Sequence, residues 1–131
     1  MKKIKGYIFS RSFMGERTPQ HVQNLVIRDY CKKNDLQYQL SLTEYAMTGS
    51  YLMHQNLMND LESIDGIVAY SLFQLPESSS HRKEIYKKII ELNKVYHFAV
   101  EGLNFKDQGT SEKIEALWQV KKTLPHCYKP K

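Results

Sequence analysis

Two continuous apolar runs constrain the fold of this chain more than any other feature. Residues 66–72 read GIVAYSL and residues 95–100 read VYHFAV, the pattern of β-strands that are covered on both faces. Residues 4–9 and 36–42 mix or alternate apolar and polar positions, as strands nearer an edge do. A segment with helical periodicity follows each strand. This fourfold alternation predicts βαβ units with right-handed crossovers, and therefore an α/β domain with a parallel sheet whose central strands are the two apolar runs.

Each predicted helix has a start signal in the sequence. Thr18 with Pro19 marks the first helix, Ser50 the second, the serines at 78–80 the third and Ser111 the fourth. Apolar periodicity assigns the buried faces as follows: Val22, Leu25, Val26 and Tyr30; then His54, Leu57, Met58 and Leu61; then Ile85, Ile89 and Leu92; then Ile114, Leu117 and Trp118.

Length and composition fit one ordinary globular domain. The 131 residues predict a single α/β domain over 1–124 and a basic tail over 125–131. No signal sequence or transmembrane run is visible, so we expect a cytoplasmic protein without a membrane partner. The net charge of +5 makes phosphate-bearing partners plausible.

The loop after the first strand carries the parts of an anion site. It contains Ser10, Arg11, Ser12 and Arg17 and leads into a helix N-terminus, where backbone amides and the helix dipole favour negative charge. His21 lies on the first turn of that helix and is a candidate acid or base. In parallel sheets ligands bind beyond the carboxyl ends of the strands, so we expect these groups to face the working cleft.

The other strand exits supply further candidates for catalysis and binding. Glu44, Glu101 and Tyr45, with His21, would provide acid–base chemistry, although Glu44 serves equally well as a salt-bridge partner that positions its loop. Ser71 and Gln74, with Ser10 and Ser12, would bind hydroxyl groups of a substrate. No His or Cys spacing matches a metal site, and no cofactor motif is present, so neither a metal nor a cofactor is predicted.

The order of these features resembles the catalytic domain of serine recombinases. The matching segments are residues 6–7, 22–25, 28–31, 44, 48–50 and 64–72. The resemblance implies a resolvase-like or flavodoxin-like three-layer sandwich around a mainly parallel sheet of four or five strands. The recombinase pattern places an arginine two residues before the serine nucleophile, whereas Ile8 precedes Ser10. It also places an Asp-Arg pair where Phe73 and Gln74 stand. These departures predict that the chain does not cleave DNA, because phosphoryl transfer needs positive charge around the phosphate.

A second resemblance is to the sporadic carbohydrate cluster proteins of bacterial surface-polysaccharide gene clusters. The segments that carry it are residues 6–11, 13–17, 19–24, 43–47, 66–76 and 97–101. What it implies is a role in the biosynthesis of an unusual sugar for capsule, lipopolysaccharide or exopolysaccharide.

The leading functional hypothesis from the sequence is therefore an enzyme that acts on a phosphorylated or nucleotide-linked sugar. A non-catalytic binding or scaffold protein is the second hypothesis, and a recombinase-like nucleic-acid-binding domain is the third. The sequence leaves a monomer and a homodimer both open.

Overall fold

A computed structural model describes residues 2–10, 18–44 and 51–127 of the chain. Five strands and four α-helices occupy these ranges: β1 (Lys2–Phe9), α1 (Gln20–Lys33), β2 (Leu36–Glu44), α2 (Leu52–Asn59), β3 (Gly66–Ala69), α3 (Ser79–Glu91), β4 (Val95–Phe98), β5 (Leu103–Phe105) and α4 (Gln108–Cys127). Short 3₁₀ turns lie at Leu61–Ser63 and Leu72–Gln74. Helix α4 runs across the predicted domain end at residue 124.

The strands form one sheet in the order β2-β1-β3-β4-β5. The first four are parallel, and β5 runs antiparallel to β4. The predicted fold class, an α/β three-layer sandwich around a mainly parallel sheet, is confirmed. The order of the strands reverses at β1, because the chain moves first to β2 on one side and then to β3 on the other. The carboxyl ends of β1 and β3 therefore flank the crevice in which folds of this kind bind ligands.

The two faces of the sheet are covered unequally. Helix α1 covers one face with Ile27 and Cys31, while α2, α3 and α4 cover the other in a larger cluster that includes Leu57, Ile89 and Trp118. Both apolar runs lie inside the sheet as predicted, because β5 covers the outer side of β4. The domain is thus held by two cores on opposite faces of the sheet, and Tyr70 packs against both of them.

Close approach of β2 requires a glycine in β1. A Cβ atom on Gly6 would meet the Ser41 hydroxyl, and also the Tyr38 ring at 3.1 Å. The strands change register between Ile4 and Gly6, which marks a bulge in this pair.

The predicted buried face of α1 is wrong by one position. Gln23, Ile27 and Cys31 are buried, whereas Leu25 is 62% exposed. Gln23 can lie in the interior, although it is polar, because its side-chain amide has hydrogen-bond partners there. Leu117 of α4 is likewise 39% exposed, against the prediction that it faces the core.

Two predicted helix starts also differ from the structure. Pro19 rather than Thr18 occupies the N-cap position of α1, and no side chain caps that helix. Helix α4 begins at Gln108, three residues before Ser111, because Thr110 donates its amide hydrogen to the Asp107 carboxylate at 2.9 Å and closes the first turn. Ser78 caps α3 as expected, and Ser50 lies outside the described residues.

Candidate functional site

A pair of buried amides joins the exits of β1 and β3. Gln23 accepts a hydrogen bond from the Phe9 amide at 3.0 Å and donates to the Phe9 carbonyl at 2.9 Å and the Thr18 carbonyl at 2.8 Å. Gln74 donates to Gln23 at 2.8 Å and accepts from the Tyr70 amide at 3.2 Å. Both glutamines are fully buried. This glutamine pair ties together the two ends of the β1–α1 loop and fixes them to β3.

Gln74 was predicted to bind substrate, and Gln23 was not singled out. In the structure the amide group of Gln74 is engaged by Gln23 and Tyr70, so a ligand would have to displace these partners. Its ligand-binding role stays a prediction. The sequence signal that could have identified Gln23 is its spacing, because it lies four residues before Ile27 and eight before Cys31 on one face of the helix. A polar side chain on such a buried face needs hydrogen-bond partners in the interior.

Ser10 lies directly at the end of β1. Its hydroxyl donates to the Glu44 carbonyl at 2.8 Å, and its amide donates to the same oxygen at 2.9 Å. The hydroxyl group is half-buried and continues the pairing of β1 with β2 beyond the last strand residue. Ser10 is therefore positioned at the crevice, with its proton directed towards β2.

The Glu44 carboxylate is buried and faces the N-terminus of α2. It accepts hydrogen bonds from the Tyr7 hydroxyl at 2.9 Å, the Met53 amide at 3.1 Å and the His54 amide at 3.1 Å. Helix α2 has no cap from its own N-cap residue, so Glu44 takes that role across the loop. Its predicted role as a general base remains untested, and the contacts present are those of a helix cap.

We expect Glu44→Gln to lower the free energy of unfolding by about 1–2 kcal/mol. The amide oxygen still accepts one hydrogen bond, but the negative charge at the helix N-terminus is lost. Urea unfolding followed by circular dichroism measures the effect, with the exposed Glu62→Gln as the matched control. A Glu44 variant as stable as the control would contradict the capping role.

Ser71 and Glu101 connect the exits of β3 and β4. The Ser71 hydroxyl donates to the Glu101 carboxylate at 2.7 Å, and the Leu72 amide donates to its other oxygen at 3.0 Å. Ser71 also accepts from the Phe73 amide at 3.2 Å. Glu101 thus holds the 3₁₀ turn after β3 and is itself partly exposed.

Glu44 and Glu101 do not form a facing pair of carboxylates. Glu44 is the last residue of β2 and Glu101 follows β4. These strands stand three strand spacings apart in the sheet, or about 14 Å at 4.8 Å per spacing. This separation exceeds the distances at which two carboxylates act on opposite sides of one bond. Any chemistry on this edge therefore uses the two groups separately.

His21, the histidine predicted as an acid or base, differs in its environment from two buried histidines. His21 is exposed on the first turn of α1, as the prediction requires. His54 is buried, and its Nε2 atom lies 2.8 Å from the Tyr96 hydroxyl. Burial lowers the pKa of His54 to about 3, with a smaller lowering from His81. His97 is bonded through Nδ1 to the Tyr30 hydroxyl at 2.8 Å, and burial lowers its pKa to about 4.

Four predicted site residues lie outside the described residues: Arg11, Ser12, Arg17 and Tyr45. The two arginines that are described are engaged with other side chains. Arg28 lies over the Tyr38 ring at 5.4 Å, and Arg82 forms a buried ion pair with Glu115 at 2.7 Å. The prediction that Arg11 and Arg17 bind an anion at the crevice stays a prediction.

The described ranges contain no group of three or more His, Cys, Asp or Glu side chains arranged to hold a metal ion. They also contain no helix that is long and apolar enough to cross a membrane.

Two solved structures share this α/β fold. The N-terminal catalytic domain of TP901-1 integrase matches with a TM-score of 0.65 and 18% identity, over 95% of this chain and 98% of that chain. A resolvase family site-specific recombinase from Streptococcus pneumoniae matches with a TM-score of 0.65 and 12% identity, over 95% of this chain and 91% of that chain. No protein-family model matches the sequence, and no curated protein does.

This comparison corrects the leading functional hypothesis. The prediction of an enzyme for capsule, lipopolysaccharide or exopolysaccharide biosynthesis is wrong, because the solved structures that share the fold are integrase and recombinase domains. The same finding overturns the phosphorylated or nucleotide-linked sugar as partner and the exclusion of DNA cleavage. The neighbours are catalytic domains or enzymes, but they are not sugar-modifying ones.

Proposed function

We propose that this chain binds DNA at the crevice between the exits of β1 and β3. The observation that carries the proposal is the match of nearly the whole chain to two recombinase domains, one of them covered over 98% of its own length. A match of this extent relates the entire sheet and its helices to a fold used for site-specific recombination. DNA is the substrate class of that reaction, and its phosphates suit a site built from arginines and a helix N-terminus.

Helix α1 contributes to the proposed phosphate site. No side chain caps its N-terminus, and its first turn carries no acidic residue. The amides of Gln20 and His21 can therefore donate to a phosphate, and the helix dipole adds a partial positive charge. Arg11 and Arg17 stand in the loop just before this helix, and both ends of that loop are held by Gln23. In this proposal the two arginines contact the DNA backbone.

The enzymatic form of the proposal assigns the attacking hydroxyl to Ser10 or Ser12. The serine oxygen would bond to phosphorus as one phosphorus–oxygen ester bond to deoxyribose breaks, and the serine proton would pass through solvent to the leaving deoxyribose oxygen. The phosphate needs positive charge around it during this exchange. Since Arg28 and Arg82 are engaged elsewhere, Arg11 and Arg17 would supply it. Membership of the sporadic carbohydrate cluster family stays a prediction that rests on the sequence segments quoted for it.

We expect Arg11→Ala combined with Arg17→Ala to weaken DNA binding by at least tenfold, since each charged hydrogen bond contributes about 1.5–3 kcal/mol. Fluorescence anisotropy with labelled duplex DNA at several salt concentrations measures this loss. The slope of log affinity against log salt concentration should become shallower by the contribution of about two phosphate contacts. The matched control is Lys32→Ala with Lys33→Ala, which removes the same charge from the opposite end of α1. Equal loss in both double variants would show only non-specific attraction and contradict the site.

A supercoiled plasmid assay separates binding from cleavage. If the protein nicks the plasmid and Ser10→Ala or Ser12→Ala abolishes the nicking, the chain cleaves DNA and the substituted serine is its nucleophile. If the plasmid stays intact and the protein binds DNA specifically, the chain is a DNA-binding domain that does not cleave. Absence of any affinity for DNA would reject the proposed function and favour the scaffold hypothesis.

A further inference from the structure

Strand β2 forms an open edge of the sheet in the described part of the chain. It is last in the strand order and pairs with β1 along one side only. It is nine residues long, whereas β5 at the opposite edge has three. The outward amide and carbonyl groups of an edge strand can pair with another strand. Of the two edges, β2 therefore offers far more backbone for such pairing.

The side chains of β2 give this edge little protection. Proteins prevent edge pairing with lysines or other charged side chains, with proline, or with very short edge strands. Residues 36–43 include no charged residue and no proline. Glu44 ends the strand, but its carboxylate is buried and accepts a hydrogen bond from the start of α2. The strand thus carries no exposed charge that would repel an identical strand.

Leu40 is exposed at the middle of this edge. The bulge between β1 and β2 leaves two residues of β2, Gln39 and Leu40, opposite Lys5 of β1. Leu40 is 77% exposed, more than any other large hydrophobic residue in the described ranges. A second strand at this edge would remove the leucine side chain from water, and burial of apolar surface favours association.

The bulge also limits the register that a second copy of β2 can use. Tyr38 and Ser41 lie on the α1 face, where both hydroxyl groups donate to Asn24. Leu42 packs against the larger cluster on the other face. Side chains directly opposite each other in an antiparallel pair lie on the same face, and a two-fold axis normal to the sheet keeps each face on its own side. Tyr38 can therefore lie opposite Ser41 of a second copy, but not opposite Leu42.

We propose that two copies of this chain associate by antiparallel pairing of their β2 strands, with the two-fold axis between Gln39 and Leu40. Residues 36–38 of each copy then pair with residues 41–43 of the other, and the bend of each bulge lies at the axis. The two Leu40 side chains lie beside each other on one face, and no like charges meet. A second copy is the favoured occupant, because this uncharged edge offers a charged peptide no ion pair. The contact does not depend on the DNA-binding proposal, since the crevice lies between β1 and β3.

Sedimentation velocity of the full chain at about 1–500 µM tests the proposal, because small interfaces give weak dimers. We expect the wild type to dimerise within this range. Leu40→Lys should raise the dissociation constant at least tenfold, because it places two like charges side by side at the axis and removes the apolar contact. The matched control is Leu25→Lys, which places the same charge at an exposed leucine of α1 and should dimerise as the wild type does. Thermal melts followed by circular dichroism should show both variants folded.

A mixture of two variants tests the two-fold register directly. Leu40→Glu alone should dimerise as weakly as Leu40→Lys. An equimolar mixture of the two should dimerise at least tenfold more tightly than either alone, because opposite charges then meet at the axis. The proposal is overturned if the wild type is monomeric throughout the range, if Leu40→Lys dimerises unchanged, if Leu25→Lys weakens the dimer equally, or if the mixture stays as weak as its components. A dimer weakened by Leu117→Lys but not by Leu40→Lys would lie on α4, where Leu117 is also exposed, and would overturn it as well.

Discussion

Replacing Arg82 by methionine should lower the free energy of unfolding by about 3–5 kcal/mol, the usual cost of removing one partner from a buried ion pair. The Arg82 side chain is fully buried and makes four hydrogen bonds. Two go to the Glu115 carboxylate, at 2.9 and 2.7 Å. The other two go to the carbonyls of Pro76 and Glu77, at 3.0 and 2.8 Å. A methionine side chain has no donor, so the substitution would leave the two carbonyls without this partner and the Glu115 carboxylate without its counter-charge.

The environment of Glu115 and Trp118 adds to this effect. Burial alone would raise the pKa of Glu115, but hydrogen bonds from Arg82, Gln119 and Tyr86 reverse that influence and hold the pKa at about 2. The Arg82 guanidinium also lies 4.3 Å from the centre of the Trp118 ring, which makes a desolvated cation–π contact. The residue therefore joins α3, α4 and the loop that follows β3.

Urea unfolding of four variants tests this account. Arg82→Lys keeps the charge but not the planar fork of donors, so it should recover only part of the lost stability. Arg82→Met with Glu115→Leu should be more stable than Arg82→Met alone, because no buried charge is left unpaired. Arg28→Met removes an exposed guanidinium over Tyr38 and should cost only about 0.5–1 kcal/mol. A loss below about 1 kcal/mol for Arg82→Met would show that the ion pair does not stabilise the fold.

The sheet could be predicted from the sequence because its strongest signals are local. The two apolar runs are long enough to predict strands that are buried on both faces, and both form interior strands of the sheet. The short β5 strand has no comparable signal, since its three residues follow a turn in which Gly102 adopts a φ of +65°. The predicted number of strands, four or five, agrees with the five that the structure describes.

The site was harder to predict because its contacts join segments that are distant in sequence. Apolar periodicity placed Leu25 in the interior, but the amide of Gln23 has partners there that only the folded loop supplies. Glu44 ends strand β2, and its place in the sequence predicts that it faces the cleft. It faces α2 instead, because the uncapped start of that helix lies within its reach. The position of a side chain after a strand is thus predictable, while its hydrogen-bond partners depend on tertiary structure.

The buried histidines should make the domain sensitive to acid. The folded chain holds the pKa of His54 at about 3, below its ordinary value of 6.5, and the cause is burial. As pH falls below about 6.5, the unfolded chain takes up the proton first, so the stability that is present above this pH is lost progressively towards pH 3. One such group contributes a slope of about 1.4 kcal/mol per pH unit. His97, with a pKa of about 4, adds a second loss of the same sign.

We therefore expect the free energy of unfolding to fall steeply between about pH 6 and pH 4, and His54→Gln to reduce that slope by about 1.4 kcal/mol per pH unit. Glutamine can keep a hydrogen bond to the Tyr96 hydroxyl, now 2.8 Å from the His54 ring, but it cannot be protonated in this range. Tyr96→Phe is the matched control, because it removes the same hydrogen bond and should lower stability by a similar amount at every pH. Urea titrations at half-unit pH steps give both slopes. An unchanged slope in His54→Gln would mean that His54 is not the group whose protonation unfolds the domain.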